Sequence, residues 1–184
     1  MPDILANDFT EISSVLSQND ELRSRVLALI GNQPMAAKVT EGGDRLEKFR
    51  IILTDLVNNR ISLTEAFGRT EVELSRQTSV HGGNNKVFAD GWAERQVRTQ
   101  FSRFYNQAVM EKLQTEGETQ CFVPHSSAED FNSPCSTHLA GSTHDLETLY
   151  NRLVESYAKG NWTKEVRIPN HPHCTHVVTR AKQH

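Results

Sequence analysis

Apolar residues recur at helical spacing through the first half of the chain. Leu5, Phe9, Ile12 and Leu16 form one stripe, and Leu22, Val26 and Ile30 a second, each the face an amphipathic helix turns to a core. "GNQPM", residues 31–35, interrupts the pattern with a glycine and a proline. A third stripe, Leu46, Phe49, Leu53 and Leu56, runs to Asn58 and Asn59. A fourth helix is expected to open at Ser62, because Ser62 and Glu65 have the spacing of a capping box. It fades near Ser79. "VHGGNNK", residues 80–86, combines two glycines with two asparagines and is expected to form a hinge or a domain boundary.

The strongest helical pattern follows. No glycine or proline interrupts residues 92–114, Val97, Phe101, Phe104 and Ala108 share one face, and Asp90 stands where it can cap. Arg95, Arg98, Arg103 and Lys112 are assigned to its solvated side, and Trp92, Phe101, Phe104 and Tyr105 to packing. Beyond Gly117, "ETQCFVPH" reads as a short strand and "SSAEDFNSPCSTHLAGST" as a long loop. A loop of that length is uncommon unless something holds it. "HDLETLYNRLVESYAKG" returns to a helix stopped by Gly160, and "WTKEVRI" alternates as a second strand would, ended by Pro169.

The expected fold class is therefore α+β. It comprises a mainly helical N-terminal half, a long central helix, and a small C-terminal β-hairpin-like or small-sheet module with one helix. Residues 1–84 form a helical interaction region, and residues 85–184 the long helix plus a Cys/His-rich module.

Composition narrows the classes. A chain of 184 residues with 36% hydrophobic and 23% charged residues can bury a core. A net charge of -3 gives no indication of nucleic-acid binding. No run of about 18 apolar residues points to a membrane span, and the opening "MPDILANDFTEISS" lacks the basic start of a signal peptide. A cytosolic protein, or part of something assembled there, is expected. The three cysteines are too few for a disulfide scaffold.

Candidate chemistry concentrates near the C-terminal end. Cys121, Cys135 and Cys174 and six of the eight histidines, His125, His138, His144, His171, His173 and His176, fall between Cys121 and His176. Thiolate and imidazole are the donors zinc prefers, and a polar module with a small core gains from such a clamp. The simplest site joins Cys121 and His125, after the first strand, to Cys174 with His171 or His176, after the second. Cys135 and His138 form a second site, complete the first, or do neither. Cys121, beside Phe122 and Val123, also reads as ordinary core. No phosphate loop, GxSxG or HExxH is present. Glu129, Asp130, Asp145 and Glu147 leave open a metal-activated water with a carboxylate base.

The order of these features resembles the C-terminal region of phage head-morphogenesis proteins, the minor head proteins related to the Mu F protein. Arg98, Thr99, Arg103 and Asn106 match that family's helix motif, Cys121 its first cysteine, and Pro169, His171, Pro172 and Cys174 its closing motif. Gln100 replaces a glutamate, His125 stands where a cysteine is common, and His176 takes the place of the final cysteine. The resemblance implies a zinc-stabilised structural protein that contacts portal or capsid protein during head assembly, first in the host cytoplasm and then in the virion. It implies no catalysis. Two alternatives stand beside it: a small, toxin-like metal-dependent hydrolase or nuclease, and an adaptor contacting the tail proteins of a contractile tail or injection particle. Self-association is open in each.

Overall fold

The computed structural model describes residues 3–182 and has the expected α+β class. Its helices are α1 (Ile12–Gln18), α2 (Asp20–Asn32), α3 (Arg45–Val57), α4 (Leu63–Glu73), α5 (Trp92–Thr115), α6 (Pro134–His138) and α7 (Leu146–Tyr157). Its strands are β1 (Gln120–Val123), β2 (Ser142–Asp145) and β3 (Thr179–Arg180).

The N-terminal stripes become helices whose ends their polar residues fix. Asp8 accepts from the Thr10 amide ahead of α1, and the Asn19 side chain accepts from Leu22 N to open α2. At α4 the capping box is reciprocal: Glu65 N donates to Ser62 Oγ at 3.2 Å, and Ser62 N donates to Glu65 Oε2 at 2.6 Å. Ser62→Ala is expected to cost about 1 kcal/mol, lowering Tm by roughly 2–4 °C in a thermal melt.

The turn at residues 80–86 is fastened. Arg76 donates to Gly82 O and Asn85 Oδ1. A Cβ on Gly82 would stand 2.6 Å from Arg76 O, so this position requires glycine. On both sides of the turn, buried residues belong to one core, extending in sequence from Ala6 to Val178.

Helix α5 is the axis of that core. Helices α2, α4 and α7 pack on it, and every residue from 100 to 110 is buried. Two expectations fail here. The N-cap of α5 is Gly91, in the left-handed region at φ 73°, rather than Asp90. Arg103 and Lys112 are not solvated, because α7 and the N-terminal segment cover the side the sequence pattern left polar. Lys112 pairs with Asp3, Glu21 and Glu116. Arg103 donates to Pro34 O at 3.0 Å and lies 4.1 Å from the Phe104 ring centroid. Burial holds its guanidinium down to about 10.

The sheet is antiparallel in the order β2-β1-β3, with Cys121 opposite His144 on one side and Arg180 on the other. The expected long loop contains α6 and the first half of β2. Ser133 caps α6 with Pro134 in its first turn, and β2 pairs along β1. "WTKEVRI" is not a strand. Residues 161–165 are exposed, and β2 and β3 already occupy both edges of β1. Asp145 caps α7, accepting from Thr148 N at 2.8 Å. Among the described residues, no helix is long and apolar enough to cross a membrane.

Candidate metal centre

After α7 the chain runs without regular structure until β3 and passes over α6. Tyr157 fixes its path by donating to Pro169 O at 2.6 Å, and the turn at residues 171–174 closes with Cys174 N on His171 O at 3.0 Å. This turn presents His171 and Cys174 to Cys135 in the first turn of α6. The three donor atoms lie within 4.8 Å of one another, with Cys135 Sγ 3.4 Å from His171 Nε2. Both cysteines are buried and free, and His171 is partly exposed. Such a cluster can hold a metal ion.

The two thiols titrate as a pair. Contact with Cys174 draws Cys135 far below the usual thiol range against the cost of burial, with help from His171, His176 and Ser133. Cys174 is raised in turn by Cys135 and by its own burial. One thiolate next to one thiol is the protonation state expected of such a pair, and a cation entering would favour the second deprotonation.

His176 stands beside the three. Its Nδ1 is 3.8 Å from Cys174 Sγ, and its Nε2 is 2.8 Å from Glu129 Oε2. Burial opposes its protonation, but Cys135 and Glu129 together raise its pKa. The Glu129 side chain is 1% exposed. It also accepts from Ser136 Oγ at 2.6 Å and lies 2.6 Å from His125 Nδ1. Burial raises the Glu129 carboxyl, yet bonds from Ser136, His176 and His125 hold it below the usual range.

Of the residues expected to bind metal, His171 and Cys174 belong to the three-donor cluster, His176 stands beside it, and Cys121 and His125 do not join it. Cys121 faces the core from β1, 3.7 Å from His144 O, and burial pushes its thiol up to about 12. The His125 side chain is 61% exposed, with its ring over Gly141, where a Cβ would meet Nε2 at 2.5 Å. His138 and His173 are exposed, and His144 reaches Leu139 O.

Cys135 stands in the sequence as an open candidate and Glu129 only as a carboxylate near the cluster, because their segment reads as a loop. The Ser133-Pro134 pair, a helix-start signal, was the clue that Cys135 opens a helix and is oriented by it. Asp145 serves as a cap and Glu147 is exposed. Comparison with protein families, with curated proteins and with solved structures finds no match.

Proposed function

We propose that Cys135, His171 and Cys174 hold a zinc ion that fastens an interaction domain and catalyses nothing. The carrying observation is the meeting of two buried thiols and an imidazole from α6 and the segment after α7, 36 residues apart at the Cys135 to His171 contact. Two thiolates favour zinc over hard cations such as magnesium or calcium. A clamp is also what the irregular segment lacks, since between α7 and β3 it has no strand or helix of its own.

On this reading the chain is a component of a phage or phage-like particle, contacting portal or capsid protein during head assembly. The order of Arg98, Thr99, Arg103, Asn106, Pro169, His171, Pro172 and Cys174 along the sequence supports that role. Native mass spectrometry is expected to show one zinc per chain and none in Cys174→Ser. Retention of zinc by that variant would overturn the site. Co-purification with portal or capsid protein supports the head role, and with tail protein the adaptor role.

The count of three donors favours a second reading. A catalytic zinc keeps three protein ligands and an open position for water, which fits a small metal-dependent hydrolase or nuclease. DNA or RNA cleavage by the zinc-loaded chain, lost in Cys174→Ser, would establish it. A loaded chain that cleaves neither supports the structural role.

A further inference from the structure

We propose that His176 is the fourth ligand, binding through Nδ1, and that Glu129 is its positioning residue, holding Nε2–H so that the Nδ1 lone pair faces the sulfurs. The inference rests on the zinc reading above and closes the position the three donors leave open.

Distances carry it first. In a tetrahedral site with Zn–S about 2.3 Å and Zn–N about 2.0–2.1 Å, a sulfur and a nitrogen ligand stand about 3.6 Å apart. Cys135 Sγ to His171 Nε2 is 3.4 Å, and Cys174 Sγ to His176 Nδ1 is 3.8 Å. Each sulfur already has one imidazole at ligand-to-ligand distance.

The tautomer comes second. A metal-binding histidine characteristically donates its other ring N–H to a carboxylate or carbonyl, which fixes the ring and raises its basicity. Glu129 does this at His176 Nε2, from a side chain that is 1% exposed. The same carboxylate takes the hydroxyl of Ser136, the neighbour of Cys135 on α6. It therefore sets the position of one ligand directly and of another through the adjacent residue. A buried carboxylate costs free energy unless its oxygens are occupied, and Ser136, His176 and His125 occupy both. His176 stands outside the 4.8 Å within which the other three donors meet, and drawing it in on metal binding would close a Cys2His2 centre with no water position, suited to a fastening role.

Co2+ added to the full-length, reduced chain reads the ligand set through its absorption. Wild type is expected to bind one equivalent with the ligand-field spectrum of a tetrahedral site bearing two thiolates. His176→Cys should shift that spectrum to a three-thiolate site, a signature no purely structural role produces. Glu129→Gln should keep the wild-type spectrum and weaken Co2+ binding by about 10–100-fold. A two-thiolate spectrum unchanged in His176→Cys overturns the fourth-ligand assignment while leaving the metal centre standing. Undiminished affinity in Glu129→Gln overturns the role of Glu129. Failure of wild type to bind Co2+ at all overturns the zinc reading itself.

Discussion

Cys135→Ser is expected to lose the metal and to melt roughly 8–16 °C below the wild type in saturating zinc. An ion that binds only the folded chain stabilises it by about 4 kcal/mol at a thousandfold excess over Kd, and each kcal/mol moves Tm by about 2–4 °C in a domain of this size. The loss should be local at first. Helices α2, α3, α4 and α5 pack on one another, and their backbone groups are satisfied within helices. The segment after α7 depends on scattered bonds: Tyr157 on Pro169 O, Phe9 N on Thr175 O, and Val178 N on Asn106 Oδ1. Hydrogen exchange should accordingly quicken first at α6, at residues 168–178 and at the Phe9 amide, with α5 still protected. A chelator added to wild type should reproduce the variant and leave the variant unchanged. Cys121→Ser is the control: it buries a hydroxyl but should keep the metal content. A Cys135→Ser chain that keeps wild-type zinc would remove Cys135 from the ligand set, and one that loses its zinc at wild-type Tm would show that no ion fastens this segment.

Helix periodicity and capping chemistry made the N-terminal half legible, because both are local. The stripe Phe49, Leu53 and Leu56 and the Ser62–Glu65 pair are sufficient to place α3 and α4. What was not legible depends on which elements cover one another. Arg103 and Lys112 read as solvated, since nothing in α5 itself announces that a second layer closes over it. Alternation in "WTKEVRI" is a local strand signal, but a strand needs a pairing partner, and β1, where it would form a hairpin, already has β2 and β3 on its two sides. The candidate site divides in the same way. The turn containing His171 and Cys174 stands out by its residue types, whereas the partner thiol depends on the path of the chain over α6. Cys121 was the nearer candidate by motif, and the pleat of β1 turns it into the core.

Asn106→Ala is expected to cost about 3 kcal/mol, a fall in Tm of roughly 6–12 °C. Asn106 is fully buried in α5. Its amide donates to Ser102 O at 2.8 Å and Ser102 Oγ at 3.1 Å, and its Oδ1 accepts from Val178 N at 2.7 Å. Ser102 O is a helix carbonyl and loses little when that amide is removed. Val178 N is different: Val178 is buried, and without Oδ1 its donor has no partner, so the full desolvation penalty falls on the variant. Asn106→Asp keeps an acceptor but places a charge at a fully buried position opposite the Ser102 carbonyl, and it should be worse than alanine. Ser102→Ala, which removes only the 3.1 Å bond, should cost under about 1 kcal/mol. Exchange at the Val178 amide should rise in Asn106→Ala, and on the zinc proposal metal affinity should fall with it, because Val178 lies four residues beyond Cys174. Should Asn106→Ala melt within about 1 °C of wild type, the bond to Val178 does not anchor that segment.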